Sequence, residues 1–561
     1  MNDVKKRALK LLKVWCDKLA EYEIHHKDKL IDGALLCPCC HVIHGRSGDL
    51  IYPLVTLYKE TGDEKYLTLA KRSIDFTEAS LVREGGGYLN DRGNRWFGIS
   101  AFSALAIGET LLEFGDIIPK VLYNEWESIF LRLNEFCYNE FDNFSPVINY
   151  RAGAAAVFAM GYVFTKDEKY LAKANEWESY CRRHIDEDGI LFGECHPHDD
   201  VSEKGCRGID LGYNLEESVP LLILHSYLLK DNGKLDFYKQ IFTKHLEFLL
   251  PDGAIDNSFG IRHNKWTYFG SRTSDGALSG LAKLPSEPIF NKATERILSL
   301  YEKLTFDGLL SLPMAKAAGE PTCLHHTFCH AKAVAALYNS NNESFSFDSS
   351  TLLPREHEYG VKLFHGGNLA TVSKEGFTAT VSALDFVRYN GADNFGGSLN
   401  LLWHKNYGPI CAATMHEYAP SEPLNMQYLM RSLKTECMTP RVVIGEYSSD
   451  TDKSVSLSVD GGTVYAVSDN FSAEYSVRNG GFEITVSADG GEYILPIITK
   501  CGDEQGLSTG AFSTGALTVT SSKEPANDGK SYFNQVGGFI YTVLRFPLSG
   551  PSVKIRIEVK S

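Results

Sequence analysis

The chain has 561 residues, of which 43% are hydrophobic and 12% aromatic, enough to bury large cores in at least two domains. Its formal net charge of −15 argues against nucleic acid as a partner, because nucleic-acid surfaces cluster Lys and Arg. The sequence contains no run of about 18 apolar residues, so no membrane span or membrane partner is expected.

The first residues, MNDVKKRALKLLKVWCDKLAEYE, are charged throughout and predict an amphipathic helix rather than a secretory signal. The 13 cysteines are odd in number and scattered, which fits a reducing compartment better than a disulfide framework. We therefore expect a cytoplasmic protein; an extracellular one would require that a signal had been trimmed from this sequence.

From the N terminus to about residue 340, apolar residues recur at helical spacing. Segments with charge on one side, such as EKYLTLAKRSIDFTEA and KVLYNEWESIFLRLNEFCYNEF, predict outer helices. Between them lie segments that are apolar nearly all round, such as FGISAFSALAIGETLLEF and AGAAAVFAMGYVF, and these predict fully buried helices.

Six apolar segments each follow a polar, often aromatic stretch, which we call a tip. The tips are HVIHGRSGD, DRGNRWF, VINYRAG, DLGYNLEES, NKWTYFGSRTSDG and CLHHTFCH. Successive tips are 51, 55, 63, 55 and 57 residues apart, measured between His44, Arg95, Tyr150, Tyr213, Tyr268 and His325. Six helix pairs at a nearly constant period predict a closed (α/α)6 toroid with the six tips around one mouth.

Near LLPREHEYGVKLF the pattern changes to alternating apolar and polar residues, with turn signals in VDGGTVY and ADGGEYI that favour hairpins. The sequence thus predicts an α+β multidomain protein. Residues 1–340 form the catalytic toroid, 341–355 a linker and 356–561 an antiparallel β-sandwich.

The tips are rich in Arg, His and aromatic residues. Arg binds carboxylates in a bidentate manner and aromatic faces stack on sugar rings, so the mouth suits a uronic acid better than a neutral sugar. The predicted substrate contacts are Arg46, Arg95, Trp96, Arg151, Asn214, Arg262, His263 and Trp266.

One reaction fits this lining: β-elimination from a uronate-containing oligosaccharide, which requires no cofactor. Arg, His or Asn neutralises the carboxylate, and a Tyr or His removes the neighbouring proton. A Tyr can be the base where nearby cations depress its pKa. The predicted base is Tyr268, then Tyr150, with Tyr213 also open. Arg46, Arg151 and Arg272 are predicted to neutralise the carboxylate, and His44 or His326 to transfer protons.

Two other functions stay open. A glycoside hydrolase on the same toroid, similar to the unsaturated-uronyl hydrolases or assisted by a metal, would need a catalytic carboxylate from Asp210, Glu216, Glu217 or Asp275. Such residues are also ordinary N-caps and first-turn acids of helices. A non-catalytic glycan-binding protein on the same scaffold would bind without turnover.

The cysteines raise a separate hypothesis. CPCCHVIH contains a Cys37-x-x-Cys40 spacing, and CLHHTFCH adds further Cys and His. Because the first and sixth repeats are neighbours in a closed ring, Cys37, Cys40, Cys323 and His325 could meet around zinc or another divalent metal. Ordinary buried cysteines are the alternative.

The layout resembles the heparinase II/III-like and alginate-lyase-like polysaccharide lyases, which join an (α/α)6 toroid to an antiparallel β-sandwich. The stretch LLCPCCHVIHGRSGDLIYPLVTLYKETGDEKYL looks more specifically like the L-rhamnose-α-1,4-D-glucuronate lyases. The resemblance implies a polysaccharide lyase with a central pocket and a tyrosine base. The Asn-Asn-His-Gly motif of heparinase-like lyases is absent, and INYRAGA stands at a comparable place.

Overall fold

The computed structural model describes residues 3–144, 147–195, 200–342, 350–387, 395–417 and 436–560. Within these ranges, every helix is too short or too polar to cross a lipid bilayer.

The N-terminal part is built from helices that alternate between an inner and an outer layer. The inner helices are α2 (Ile51–Thr61), α4 (Ser100–Phe114), α6 (Ile148–Thr165), α9 (Val219–Leu228), α11 (Leu278–Leu281) and α13 (Leu324–Asn339). The outer helices are α1 (Asp3–Ala20), α3 (Glu64–Ser80), α5 (Lys120–Phe144), α7 (Glu168–Arg182), α10 (Asn232–His245) and α12 (Pro288–Lys303). A single turn, α8 (Leu211–Tyr213), leads into α9 through a π-helical turn, Asn214–Ser218.

The inner helices form a closed ring. Each packs on the next from α2 to α4, α6, α9, α11 and α13, and α13 packs back on α2. The N-terminal helix α1 packs on α13 and so supplies the outer helix of the last pair. The predicted toroid is therefore confirmed, with its seam between α13 and the N-terminal segment.

Local sequence explains both layers. Inner helices α4 and α6 are buried on nearly all sides, as their apolar composition predicts. They approach closely at Gly108, where an added Cβ would lie 2.1 Å from Met160 Sδ. Outer helices α3 and α7 begin at Asp63 and Asp167, which are N-caps that accept a hydrogen bond from a backbone N–H two residues on.

The C-terminal part is made of antiparallel sheets. The first contains β3 (Gly360–Phe364), β4 (Leu369–Lys374), β5 (Phe377–Ser382), β6 (Ser398–His404) and β7 (Gly408–Ala412) in sequential order. The second has the order β18-β19-β14-β8-β9. Its strands are β8 (Arg441–Ile444), β9 (Tyr447–Ser448), β14 (Glu492–Ile498), β18 (Tyr532–Asn534) and β19 (Phe539–Pro547).

The third sheet has the order β10-β11-β12-β13-β20-β17-β16-β15. Its strands are β10 (Ser456–Asp460), β11 (Thr463–Val467), β12 (Phe471–Arg478), β13 (Gly481–Ala488), β15 (Gln505–Ser508), β16 (Ala511–Thr514), β17 (Leu517–Ser521) and β20 (Val553–Val559). A short hairpin of β1 (Thr305–Phe306) and β2 (Leu309–Leu310) belongs to the toroid. One buried core contains Val381 of the first sheet, Leu495 of the second and Val486 of the third, as the predicted sandwich requires.

Of the two predicted hairpins, one forms. Asp460 pairs with Thr463 across Gly461 and Gly462, both with positive φ, as VDGGTVY predicts. ADGGEYI instead carries the chain from β13 to β14, which lie in different sheets. Gly-rich turn chemistry indicates a tight change of direction but does not specify the partner strand.

The β-region packs directly on the toroid. Arg355, at the end of the predicted linker, is buried, and its guanidinium pairs with Asp256 at 2.9 Å. Thr380 of β5 donates a hydrogen bond to the same carboxylate at 2.5 Å. The placement of the linker at 341–355 stays a prediction, since residues 343–349 lie outside the described residues.

Candidate active site

The loops before the inner helices gather at one end of the toroid, and the β-region covers part of this mouth. Gly537 N donates a hydrogen bond to the Trp266 carbonyl at 2.9 Å, and the indole of Trp403 contacts Asp252 at 3.4 Å. These contacts place the β-region against Trp266 of the fifth tip and against the nearby Asp252.

The hydroxyl of Tyr213, in the fourth tip, lies among polar and positively charged groups. It is 2.6 Å from Thr273 Oγ1 and accepts a hydrogen bond from Lys265 Nζ at 3.3 Å. The guanidinium carbon of Arg262 lies 4.1 Å from the centre of the Tyr213 ring. Positive charge beside a phenol stabilises the phenolate, so this arrangement suits a tyrosine that removes a proton.

Asp210 holds Tyr213 in place. Its carboxylate accepts hydrogen bonds from Tyr213 N at 3.0 Å, as a helix N-cap, and from Arg262 N at 2.9 Å. Asn257 donates a third at 3.0 Å. Asp210 therefore aligns the tyrosine with the loop that carries the cations, and its three internal hydrogen bonds argue for a positioning role rather than that of a catalytic acid.

Two buried carboxyl groups, Glu194 and Glu217, connect this cluster to the third tip. Arg262 Nη1 donates to Glu194 at 2.8 Å, and the backbone N–H of Asn149 donates to Glu194 at 3.0 Å. The Asn149 side chain donates to Glu217 at 2.9 Å. Burial raises the pKa of Glu217 to about 8, against the lowering effect of Arg46, so this carboxyl keeps its proton at neutral pH.

Arg46 binds the first tip to the fifth. Its Nε donates to Asp49 at 2.7 Å, its Nη2 to Asp275 at 2.5 Å and its Nη1 to the carbonyl of Thr273. Its guanidinium carbon also lies 4.7 Å from the centre of the Phe102 ring. The predicted role in neutralising a substrate carboxylate is opposed by these internal partners. Arg46 instead holds the loop on which Thr273 contacts Tyr213.

Trp96 and Tyr150 form a half-buried aromatic pair between the second and third tips. Trp96 Nε1 donates to the Tyr150 hydroxyl at 2.7 Å, and the Tyr150 ring lies 5.4 Å from Phe102. Through Phe102 and Arg46 the pair is connected to the Tyr213 cluster. Its partial exposure suits a surface that stacks on sugar rings.

Tyr268, predicted first as the base, lies in a setting that opposes this role. Its hydroxyl donates to Asp252 at 2.7 Å, and its ring is 5.1 Å from Phe539 of the β-region. Burial raises the pKa of Tyr268 well above its usual value, and the Asp252 charge adds to the effect. Trp266 is likewise fully buried, with its indole N–H bound to the Ile255 carbonyl at 2.7 Å.

The other arginines predicted to bind the substrate lie in different surroundings. Arg151 stacks on the outer helix α7, 4.1 Å from the ring centre of Tyr180 and 4.9 Å from that of Trp177. Arg272 is buried and donates to the Asn264 carbonyl. These contacts oppose the predicted roles of Arg151 and Arg272 at the substrate carboxylate. Arg95 is exposed at the second tip.

Asn214 and His263, predicted to contact substrate, are buried structural groups. Asn214 donates to the Leu191 carbonyl at 2.7 Å. His263 Nδ1 lies 3.0 Å from the Gly260 carbonyl oxygen, and burial lowers its pKa to about 4. Their predicted contacts with substrate are not supported, because sequence spacing marks a tip but does not show which way its side chains face.

Three of the four predicted metal ligands, Cys37, Cys40 and Cys323, lie close together, and the fourth member of the group is His44. Cys37 Sγ lies 3.6 Å from Cys323 Sγ, and Cys40 Sγ lies 3.0 Å from His44 Nε2. The His325 ring lies 3.4 Å from that of His44 between ring centres, at an angle of 49°. His44, rather than His325, completes the group with the three cysteines. The cysteine contacts of His44 oppose its predicted role in proton transfer.

The remaining histidine predicted to transfer protons, His326, is fully buried with its ring 5.2 Å from that of Phe269. Burial lowers its pKa well below the usual value. Its surroundings therefore oppose a role in proton transfer. His198, in a segment between the third and fourth tips, lies outside the described residues.

The carboxylates that a hydrolase would need have structural partners. Glu216 is fully buried and accepts hydrogen bonds from Ser271 N at 2.6 Å and from the Ser274 hydroxyl, and lies 3.2 Å from His330 Nε2. An added Cβ at Gly270 would lie 2.0 Å from Glu216 Oε1, and the φ of 150° at this position also favours glycine. Burial would raise the pKa of Asp275, but Lys332 and Arg46 outweigh it and lower that pKa.

Sequence reasoning missed several members of the Tyr213 cluster: Asn149, Glu194, Lys265 and Thr273. Two signals were present. Asn149 directly precedes Tyr150 in the third tip, and Lys265 lies in the densest polar tip, NKWTYFGSRTSDG. Thr273 lies in the same tip as Lys265, whereas Glu194 lies outside the tips, and only the folded ring brings it to the cluster.

Known proteins resemble this chain over most of its length. The family model of the ulvan lyase N-terminal domain matches residues 12–356, and that of the ulvan lyase C-terminal domain matches residues 361–458. A broad-specificity ulvan lyase of Formosa agariphila is 34% identical in an alignment 455 residues long that covers 78% of this chain and 70% of that protein.

Solved structures show weaker likeness. A heparinase III is 12% identical with a TM-score of 0.48, covering 100% of this chain and 84% of that one. An α-1,6-mannanase of Salegentibacter sp. HEL1_6 is 14% identical with a TM-score of 0.41, covering 59% of this chain and 98% of that one. The family assignment does not depend on these two.

The matches confirm the prediction of a polysaccharide lyase, and they do not test the finer resemblance to rhamnose–glucuronate lyases. Two family models that together span both parts of the fold, and a curated relative with 34% identity, agree. The chain belongs to the ulvan lyase family and is a polysaccharide lyase.

Proposed function

We propose that this lyase cleaves ulvan, or a closely similar uronate-containing polysaccharide, by β-elimination with Tyr213 as the base. The similarity to a broad-specificity ulvan lyase supports the substrate. The environment of the Tyr213 hydroxyl, with Lys265 Nζ at 3.3 Å and Arg262 over the ring, supports the base and is the observation that carries the proposal.

The reaction proceeds at the carbon next to the uronate carboxylate. The Tyr213 phenolate takes the proton from that carbon, and the C–H electron pair forms the new C=C bond. The C–O bond to the leaving sugar breaks with its electron pair on the oxygen, and this oxygen takes the proton from the Tyr213 phenol just formed, which regenerates the phenolate. Lys265 and Arg262 favour the phenolate, and Lys265 stabilises the negative charge that develops on the carboxylate.

The half-buried pair of Trp96 and Tyr150 forms the sugar-binding wall. Aromatic rings offer flat apolar faces to a sugar ring. The hydrogen bond from the Trp96 indole to the Tyr150 hydroxyl fixes the relative orientation of the two rings. We further propose that the bond which the enzyme cleaves joins rhamnose to glucuronate. Oligosaccharides that carry this linkage should therefore be substrates.

The test is a product assay with ulvan, rhamnose-capped arabinogalactan oligosaccharides, glycosaminoglycans and alginate. Elimination gives an ultraviolet-absorbing product without gain of water, as confirmed by mass spectrometry, and we expect it with ulvan. Cleavage with one water gained and no new absorbance would contradict the elimination mechanism. Elimination confined to alginate or glycosaminoglycans would contradict the proposed substrate.

A further inference from the structure

A group of three cysteines and one histidine lies at the seam of the toroid, apart from the Tyr213 cluster. Cys37, Cys40 and His44 belong to the segment before α2, and Cys323 is the residue that precedes α13. All four are buried, and one ligand atom from each lies within 4.8 Å of the other three. We propose that these residues bind a structural zinc ion that closes the ring between its first and last repeats.

The distances distinguish this site from a disulfide. A tetrahedral zinc site with Zn–S bonds of about 2.3 Å places two sulfur atoms about 3.8 Å apart. The Sγ atoms of Cys37 and Cys323 are 3.6 Å apart, whereas a disulfide requires about 2.05 Å. Three sulfur donors and one imidazole nitrogen form one of the usual donor sets of structural zinc.

The backbone around the first two cysteines is shaped for such a site. Leu36 and Ile43 form an antiparallel bridge, and Cys37 N donates to the Val42 carbonyl at 3.1 Å. Between them, His41 adopts a φ of 55° and its N–H donates to the Cys37 carbonyl at 3.0 Å. This tight hairpin, residues 36–43, turns both sulfur atoms of the Cys-x-x-Cys spacing towards His44 and Cys323.

The position of the site gives it a mechanical role. Cys37 and Cys323 are 286 residues apart in the chain, so a shared metal would join the two ends of the toroid. Two residues after His44, Arg46 holds the carbonyl of Thr273, whose hydroxyl contacts Tyr213. A zinc ion at the seam would therefore stabilise the ring and, through Arg46, the position of the Tyr213 loop.

The first test is the metal content of the full chain, purified under reducing conditions and measured by inductively coupled plasma mass spectrometry. We expect about one zinc per chain, falling at least fivefold in Cys323→Ser. Cys137→Ser removes another buried cysteine, on the outer helix α5, and should keep the metal. Zinc that is absent from the wild type, or that Cys323→Ser retains, would overturn the proposal.

A second test avoids a variant that fails to fold. Wild-type protein is stripped with a chelator and titrated with Co²⁺, whose thiolate complexes absorb strongly in the near ultraviolet. We expect this band to saturate at one Co²⁺ per chain and the Tm to rise with it. A stripped protein that shows no such band, or a Cys37–Cys323 disulfide found by mass spectrometry of freshly purified protein, would refute the zinc site.

Discussion

Two tyrosines at neighbouring tips of the toroid, Tyr213 and Tyr268, differ in what surrounds their hydroxyl groups. Each is only 3% exposed and each belongs to a polar, aromatic tip. The Tyr213 hydroxyl meets Lys265 and lies close to Arg262, whereas the Tyr268 hydroxyl donates to Asp252. Positive charge favours a phenolate, and an anionic acceptor opposes it.

The difference teaches that burial does not distinguish a catalytic tyrosine from a structural one. The two are distinguished by the sign of the charge next to the hydroxyl group and by whether the β-region packs on the tyrosine ring. Phe539 of the β-region packs on Tyr268, while Asp210 and the loop with Lys265 hold Tyr213 within the ring. The following predictions separate the two environments.

Tyr213→Phe should give the largest loss. Removing the only proton-accepting atom of this side chain should lower kcat by about 10³-fold, within the range for a general base. The hydroxyl contributes a contact to Thr273 and one to Lys265, so the fold should be retained. The measurement is steady-state elimination on ulvan, with circular dichroism as the control for folding. Activity within tenfold of wild type would argue for another base.

Lys265→Met should follow, with a loss of about 10²-fold, the scale for one electrostatic donor at a reacting centre. If Lys265 favours the phenolate, the variant should also shift the rise of kcat/KM to higher pH. Lys316→Met changes an exposed lysine and serves as the matched control. An activity loss with an unchanged pH profile would assign Lys265 to folding or binding alone.

Glu217→Gln tests the buried carboxyl next to Asn149 through stability. In the folded protein Glu217 has a pKa of about 8, against an ordinary value of 4.5. The contribution of Glu217 to the free energy of unfolding is therefore fully present below pH 4.5 and is lost as the pH rises to about 8. Gln lacks this dependence, so the Tm of the variant minus that of wild type should increase across this window. A constant difference in thermal unfolding would contradict the raised pKa.

Tyr268→Phe should have the smallest effect on catalysis. The variant loses one hydrogen bond to a carboxylate, so the free energy of unfolding should fall by about 1.5–3 kcal/mol. Elimination should stay within about twofold of wild type, because Tyr268 lies at the contact with the β-region. Thermal unfolding measures the stability of the variant, and the ulvan assay measures its activity. A hundredfold loss of activity without unfolding would support Tyr268 as the base, as the sequence predicts.

The sequence predicts the architecture well because its signals are local and repeated. Apolar helices, the caps at Asp63 and Asp167, and the VDGGTVY hairpin depend on neighbouring residues. The metal group is nearly complete in the sequence because ring closure makes the first and sixth repeats neighbours. His44 takes the place predicted for His325, because His44 Nε2 lies 3.0 Å from Cys40 Sγ, and spacing alone does not show which ring reaches the sulfur atoms.

The site was harder to predict because it depends on the direction in which each side chain points and on which residues the β-region covers. Arg151 turns outwards to stack on α7, and Arg46 turns inwards to bind carboxylates, although both occupy similar places in their tips. The burial of Tyr268 requires a β-strand more than 250 residues away in the chain. No periodicity within the toroid could show that contact.

The most direct test of the proposed base is the ratio of kcat/KM for Tyr268→Phe to that for Tyr213→Phe, measured on the same ulvan preparation. Both variants lose one phenol oxygen from a buried tyrosine, so nonspecific effects largely cancel. We predict a ratio of at least about 10², the lower end for a general base. A ratio near or below one would contradict the assignment of Tyr213.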